Sequence, residues 1–174
     1  MVLNRVFLIG FMGSGKSTVG HLLARSIDWQ FIDLDHYIEK TQKRTVAEIF
    51  ASDGEQIFRQ IEREALHQVA KFDKVIVATG GGSPCFEDNM EFMNREGLTI
   101  YLELTPEVLM QRLKDAKASR PLIAGKNEAG LLDFIKSKLK EREAYYKRAA
   151  VTADATAAGV DSYIKIIEGY HKKY

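Results

Sequence analysis

The sequence has very little cysteine. Cys85 is the single cysteine among 174 residues, so an intrachain disulfide is excluded, and this usage is typical of proteins in the reducing cytosol. We therefore expect a cytoplasmic protein. A transition-metal site is not indicated, because the four histidines (His21, His36, His67 and His171) lack the spacing of metal ligands.

An excess of charge of one sign is also missing. The chain has 25 Lys plus Arg against 24 Asp plus Glu, a formal net charge of +1, without the basic surplus that binding a phosphate backbone requires. We therefore expect no nucleic-acid partner. Apolar runs such as residues 6–10 are far shorter than the roughly 18 residues of a membrane span. We expect neither membrane insertion nor a secretory signal, since no small-residue cleavage site follows the first apolar run.

The length fits one compact domain. At roughly 150 residues per domain, 174 residues leave little for a second one, and about 70% of the unfolded surface would be buried on folding. The composition, 45% hydrophobic and 28% charged, is that of an ordinary globular protein. We expect a single domain over residues 1–174 and, from its small size and balanced charge, a monomer.

Short β-rich runs alternate with longer stretches of helical period. This alternation predicts the α/β class, with a parallel sheet covered by helices. Strands are predicted at residues 6–9, 31–33, 75–78 and 99–102, and near Val151. Helices are predicted at residues 16–25 and 55–70, from a capping box that begins at Thr45, after Thr105 with Pro106 at the first helical position, and from Asp161. Two loops interrupt the alternation and are candidates for binding: residues 79–84, with a glycine triplet, and residues 115–130.

Residues 10–18 read GFMGSGKST, which fits the pattern G-x-x-x-x-G-K-[ST] of a phosphate-binding loop. The segment follows a predicted strand and opens a predicted helix, as the motif requires. Its glycines let backbone N–H groups point at phosphate oxygens, and the helix N-terminus adds a positive dipole. Lys16 can reach the β- and γ-phosphates, and Ser17 offers a hydroxyl to Mg²⁺. The motif predicts a nucleoside triphosphate with Mg²⁺; the alternative is a glycine turn without a ligand.

Two carboxylates, Asp33 and Asp35, stand at the end of the second predicted strand. Ligands of open α/β sheets bind at the carboxyl ends of the strands. If the strand continues, both side chains point to the same face, and phosphoryl transfer would use one beside a metal ion and one beside an acceptor hydroxyl. The alternative is that Asp35 only caps a helix that begins at His36.

Three arginines are further candidates, each with a structural alternative. Arg59 lies on a predicted helix with Glu62 at helical spacing, which an ordinary ion pair would explain. Arg142 and Tyr146 form an unremarkable helical pair at i and i+4. Arg120, in its polar loop, is equally explained as a solvated side chain.

Taken together and in this order, the motifs make the sequence resemble the shikimate kinase family. The resemblance covers nearly the whole chain. The matching segments are residues 10–18, Asp33-Leu34-Asp35, Gly54-Glu55 with Phe58-Arg59 and Glu62, Gly80-Gly81-Gly82, Ser119-Arg120-Pro121-Leu122, and residues 142–146.

The resemblance implies a fold and an activity. The fold is the three-layer P-loop kinase fold of the nucleoside monophosphate kinase type, with a five-stranded parallel sheet and helices on both faces. A substrate-binding segment is expected at about residues 34–62 and a lid at about residues 115–130. The implied activity is ATP-dependent phosphorylation of the 3-hydroxyl of shikimate, on the route to chorismate and the aromatic amino acids. ATP and shikimate are then the expected small-molecule partners, with Mg²⁺ as the metal.

The resemblance also implies a role for each matching residue. ATP would be held by Gly13, Ser14, Gly15, Lys16, Ser17, Thr18, Arg112 and Arg120. Mg²⁺ would be ligated by Ser17 and reached through water by Asp33. Shikimate would contact Asp35, Arg59, Gly81 and Arg142, with Gly80 and Gly82 shaping the same loop.

The chemistry of these residue types agrees with the implied roles. Two arginines supply the fork-shaped donors that suit the single carboxylate of shikimate. We hypothesise that Asp35 orients the attacking hydroxyl and takes its proton, while Lys16, Mg²⁺ and Arg120 stabilise charge on the transferring phosphoryl group. Closure of the lid would exclude water as a competing acceptor.

Two other functions stay open on the sequence. Another small-molecule P-loop kinase, of the gluconate or nucleoside monophosphate type, would use the same loop, and gluconate is also a hydroxylated carboxylate. A nucleotide-binding switch protein is the second alternative. It would leave the pair Asp33 and Asp35 without a task, and the sequence lacks the guanine signature N-K-x-D.

Overall fold

The structure is a computed structural model that describes residues 3–114, 123 and 125–171. Its strands are β1 (Arg5–Ile9), β2 (Gln30–Asp33), β3 (Val75–Ala78), β4 (Leu98–Glu103) and β5 (Val151–Asp154). Its helices are α1 (Lys16–Ser26), α2 (Leu34–Gln42), α3 (Val46–Val69), α4 (Asn89–Glu96), α5 (Pro106–Lys114), α6 (Glu128–Tyr146) and α7 (Val160–His171), with a 3₁₀ turn at Ser83–Cys85.

The strands form one parallel sheet in the order β2-β3-β1-β4-β5. β1 is central, and its Leu8 is in register with Ala78 of β3 and Ile100 of β4. The connection from β1 leads toward one edge of the sheet, to β2, and the connection from β3 leads toward the other edge, to β4. A crevice opens where the connections diverge in this way, and it is the usual ligand site of such sheets.

Helices cover both faces of the sheet, which confirms the predicted three-layer α/β fold. On one face, Phe7 and Ile9 pack with residues of α2, α3, α4 and α6. On the other, Val6 and Leu8 pack with residues of α1 and α7. Because both faces are buried, β1 is apolar at consecutive positions instead of alternating. A third cluster joins α5 and α6, where Leu131 and Ile135 are completely buried.

Most predicted helix boundaries are confirmed by their caps. The capping box at Thr45 is present: Glu48 N donates to Thr45 Oγ1 at 3.2 Å, and Thr45 N donates to Glu48 Oε2 at 2.7 Å. The long α3 bends at Gly54, whose φ of 81° separates the helix that begins after Thr45 from the one predicted at residues 55–70. Pro106 is the first residue of α5, as expected.

Two points of local structure are decided by helix caps. β2 ends at Asp33, as predicted, and the strand does not continue through Asp35, because Asp33 already caps α2 by accepting from His36 N at 3.4 Å. Asp35 is therefore neither a strand residue nor the cap; it lies in the first turn of α2. The polar segment expected to reach residue 130 ends earlier, because Asn127 caps α6 by accepting from Gly130 N at 2.8 Å.

No helix in the described ranges combines the length and the hydropathy that a membrane-spanning helix needs.

Candidate active site

The phosphate-binding motif forms the turn between β1 and α1. Gly15 caps α1 with a φ of 97°, a left-handed conformation that glycine adopts at little cost. The N–H groups of the first helical turn are therefore available at the mouth of the loop. Lys16 is buried and its Nζ donates to Gly10 O at 2.8 Å and Phe11 O at 2.9 Å. The ammonium group thus lies across the loop that would receive the phosphates.

Ser17 and Asp33 bring two oxygen ligands to the same point. Ser17 Oγ, in the first turn of α1, donates to Asp33 Oδ2 at 2.6 Å at the end of β2. Mg²⁺ favours hard oxygen ligands and keeps water and phosphate oxygens in most of its positions, so two side chains beside a phosphate loop suit it. Clusters of three or more His, Cys, Asp or Glu side chains able to hold a metal are absent from the described residues. The donor set therefore fits Mg²⁺ bound together with a nucleotide, and not a metal held by protein ligands alone.

Arg112 bridges the phosphate loop and the segment after β5. Its Nη1 donates to Ser14 O at 3.2 Å and its Nη2 to Ala155 O at 3.4 Å. The N–H groups of a guanidinium lie in its plane, so these bonds leave the faces of the group for stacking. This position is next to Gly15 and suits the expected contact with the base of ATP.

Asp35 lines both the phosphate-loop crevice and a second cavity of about 630 Å³. Its side chain is open to the solvent of these cavities, but the protein around it desolvates the carboxylate and raises its pKa. The Asp33 carboxylate raises the pKa further, while Lys16 opposes the shift. Asp35 is thus placed between the site for phosphates and a separate cavity.

The second cavity, which we name the acceptor cavity, contains most of the remaining predicted residues. Its wall combines the first turns of α2, both halves of α3, the loop after β3 and the end of α6. The residues that matter for chemistry are Asp35, Arg59, Glu62, Gly80, Gly81, Gly82 and Arg142. Elements that are distant in sequence therefore meet at one site.

Arg59 is held in this cavity by two carboxylates of its own helix. Its Nη1 donates to Glu62 Oε2 at 2.6 Å, and its Nη2 donates to Glu55 Oε1 at 3.3 Å. The ion pair that the sequence offered as an alternative is therefore present, but it lies in the cavity wall. Burial raises the pKa of Glu62 to about 7, although Arg59 acts in the opposite direction.

The glycine triplet makes room for these charged groups. A Cβ atom at Gly82 would collide with the Arg59 guanidinium, and one at Gly80 would collide with Glu62 Oε1. On the other side of the loop, Arg142 Nη1 would lie 3.4 Å from a Cβ at Gly81. Two guanidinium groups therefore flank one backbone loop that has no side chains.

The structure places nearly all of the predicted residues together. Arg120 lies outside the described residues. Glu62 was not among the predicted site residues, although its position three residues after Arg59 was the available signal. The bond from Tyr146 Oη to Gly81 O at 2.5 Å was not predicted either, and the spacing of Tyr146 from Arg142 was the only hint. Cys85 borders the same region as a neutral thiol, since burial raises its pKa to about 11.

Comparisons with known proteins identify the family of the chain. The sequence model of the family described as shikimate kinase matches residues 12–168. A shikimate kinase of Parabacteroides distasonis is 49% identical over 153 residues, which cover 88% of each chain.

Two solved structures share the whole fold. A shikimate kinase from Bacteroides thetaiotaomicron aligns with a TM-score of 0.88 and 43% identity over 98% of this chain and 97% of that one. A shikimate kinase from Acinetobacter baumannii in complex with shikimate aligns with a TM-score of 0.85 and 32% identity over 97% and 94%. The chain therefore belongs to the shikimate kinase family.

Proposed function

We propose that this chain transfers the γ-phosphoryl group of ATP to the 3-hydroxyl of shikimate, giving shikimate 3-phosphate and ADP for the synthesis of chorismate and aromatic amino acids. One observation carries the proposal: Asp35 lies between a phosphate-binding loop and a cavity walled by two arginines and a glycine loop. The Acinetobacter baumannii relative in complex with shikimate supports the same substrate.

The acceptor cavity suits a small hydroxylated carboxylate. Arg59 and Arg142 offer planar donor forks for the carboxylate, and the glycine loop between them offers backbone donors. The substrate-binding segment, about residues 34–62, contributes Asp35 from one end and Glu62 from the other. Glu62 and Glu55 each accept one hydrogen bond from Arg59, which leaves the remaining N–H groups of its guanidinium for the ligand.

The phosphate side of the site serves ATP. In this proposal, residues 13–18 surround the phosphates, and Lys16 exchanges its two carbonyl partners for phosphate oxygens. Arg112 stacks on the base from its position beside Gly15. Arg120, in the proposed lid before α6, stabilises charge on the transferring group.

Ser17 and Asp33 are the residues that would hold Mg²⁺. When bound, Mg²⁺ neutralises charge on the phosphates during transfer. The hydrogen bond between Ser17 Oγ and Asp33 Oδ2 holds both oxygens on the phosphate side of Asp35.

Asp35 orients the acceptor and takes its proton. Its carboxylate accepts a hydrogen bond from the 3-hydroxyl. The proton moves to a carboxylate oxygen as the hydroxyl oxygen bonds to the γ-phosphorus and the bond from that phosphorus to the bridging oxygen breaks, so that ADP leaves with this oxygen. Because desolvation raises the pKa of Asp35, its carboxylate is a stronger proton acceptor than an aspartate with an ordinary pKa.

ADP release by the purified protein with Mg-ATP tests the proposal. Shikimate, gluconate, AMP and no acceptor are compared, together with the variant Asp35→Asn. We expect release only with shikimate, and a kcat about 10²- to 10⁴-fold lower in the variant. Release with gluconate or AMP instead would assign a different acceptor, and acceptor-independent hydrolysis would favour a nucleotide switch.

A further inference from the structure

The three carbonyl groups of the glycine triplet all accept hydrogen bonds from within the protein. Gly80 O accepts from Ser83 N at 3.1 Å, and Gly82 O accepts from Cys85 N at 3.0 Å. Both bonds join residues three apart and close local turns of the backbone. Gly81 O differs, because it accepts from the hydroxyl of Tyr146 at 2.5 Å, 65 residues further along the chain. A side chain from α6 therefore fixes the middle of the loop.

The N–H groups of the same triplet have the opposite pattern. Within the described part of the chain, the N–H groups of Gly80, Gly81 and Gly82 donate to no backbone or side-chain acceptor. All three residues line the acceptor cavity. The loop thus uses its carbonyls for internal bonds and keeps its donors for a ligand, which is the arrangement that an anionic or hydroxyl-bearing molecule needs.

The packing around Tyr146 holds its side chain in one orientation. Its side chain is completely buried, and its ring lies 5.1 Å from the ring of Tyr101, centroid to centroid. Burial raises the pKa of the hydroxyl, so the group remains a neutral donor even though Arg142 acts to lower that pKa. Arg142 precedes Tyr146 by one helical turn, so one stretch of α6 supplies both a cavity arginine and the bond to the loop.

We propose that Tyr146 is a positioning residue for the acceptor, because it locks the peptide between Gly81 and Gly82 with its carbonyl toward α6. In a trans peptide the Gly82 N–H points the other way, away from Tyr146. Without the hydroxyl, the planar peptide between two glycines is free to flip by rotation about ψ of Gly81 and φ of Gly82, since neither residue has a Cβ atom. A rotated peptide would present a carbonyl oxygen to the cavity, where it repels the carboxylate that Arg59 and Arg142 attract.

The variant Tyr146→Phe removes the hydroxyl and keeps the ring. The identity of the acceptor rests on the proposed function, so the kinetic arm uses shikimate. We expect the KM for shikimate to rise about five- to tenfold, as for the loss of one hydrogen bond, while kcat and the KM for ATP change less than about twofold. A role in stability alone would lower the melting temperature and leave the KM for shikimate unchanged.

The matched control is Tyr101→Phe. It removes a hydroxyl from the neighbouring buried ring, and Tyr101 makes no hydrogen bond to the glycine loop in the described structure. We expect its KM for shikimate to remain at the level of the unmodified protein. An equal rise in both variants would overturn the proposal, because the effect would then come from the core around the rings.

A second measurement needs no substrate. Amide nitrogen relaxation dispersion of the free protein reports exchange of the Gly81 and Gly82 N–H groups on the μs–ms scale. Tyr146→Phe is expected to introduce such exchange at both glycines, and Tyr101→Phe is not. Unchanged glycine amides in Tyr146→Phe would refute the lock even if shikimate proved not to be the acceptor. Lack of any shikimate-dependent activity in the unmodified protein would instead count only against the proposed function.

Discussion

Arg59 Nη1 and Glu62 Oε2 form an ion pair at 2.6 Å, and the Glu62 side chain is almost completely buried. Glu62 Oε1 makes no hydrogen bond in the described structure and faces Gly80. The pair therefore has an incompletely compensated charge, which is why burial raises the pKa of Glu62 to about 7 in spite of Arg59. The same ion pair holds the Arg59 guanidinium in the wall of the acceptor cavity.

This pair predicts a pH dependence of stability. Glu62 has an ordinary pKa of 4.5 when unfolded and about 7 when folded, so between these values the folded state binds the extra proton. Stability due to Glu62 is therefore full below pH 4.5 and decreases as the pH rises through 7. Glutamine does not titrate, so Glu62→Gln is the reference. The free energy of unfolding of the unmodified protein, measured relative to that of Glu62→Gln, should fall by about 3 kcal/mol as the pH rises across this window.

Urea unfolding of both proteins between about pH 4.5 and pH 8 measures this difference. Glu64→Gln is the control, because Glu64 is an exposed carboxylate two positions further along the same helix. Its stability difference from the unmodified protein should stay constant over the window. A constant difference for Glu62→Gln as well would mean that Glu62 titrates alike in the folded and unfolded chain.

The approach of Arg59 to Gly82 predicts a defect in substrate binding. In Gly82→Ala the new Cβ would occupy the position of the guanidinium, and the flexible arginine would move instead of the backbone. We expect the fold to persist and the KM for shikimate to rise about tenfold or more, as for the loss of a charged hydrogen bond. Initial rates with varied shikimate measure this effect.

Gly159→Ala is the matched control, since no atom lies within 4 Å of a Cβ at Gly159. It should leave the KM for shikimate unchanged. An unaltered KM in Gly82→Ala would mean that Arg59 does not bind the substrate in the position described here.

Ser17 allows a test of the metal site. Ser17→Ala removes the hydroxyl that now donates to Asp33, so Mg²⁺ bound with ATP would lose a protein ligand. We expect the Mg²⁺ concentration for half-maximal rate to rise about tenfold. Ser17→Thr keeps a hydroxyl at the same position and should restore most of the response. Equal Mg²⁺ curves for Ser17→Ala and the unmodified protein would count against Ser17 as a ligand.

Local sequence patterns were sufficient for the framework and for the phosphate side of the site. The strands are short apolar runs between helical stretches, and GFMGSGKST specifies its own turn because glycine spacing and the following helix are local. The capping box at Thr45 was likewise predicted from residues three apart. In each case, the residues that determine the structure are neighbours in the chain.

The remaining features depend on contacts that are distant in sequence. Asp33 both ends β2 and caps α2, so two elements meet without a linker, and the sequence alone left open whether Asp35 continued the strand or capped the helix. The bond from Tyr146 to Gly81 spans 65 residues, and no local pattern indicates it. The collision that forbids a side chain at Gly82 depends on where α3 packs, so only the folded structure identifies it.

The capping box at Thr45 begins α3, the helix that carries Arg59 and Glu62 into the acceptor cavity. Thr45 Oγ1 accepts from Glu48 N at 3.2 Å, and Thr45→Ala removes this acceptor. We expect the free energy of unfolding to decrease by about 1 kcal/mol. Thr45→Ser retains the hydroxyl and should lose less than half of that amount. Chemical denaturation of the two variants in parallel decides the point: equal losses would show that the methyl group of Thr45, and not its cap, stabilises the start of α3.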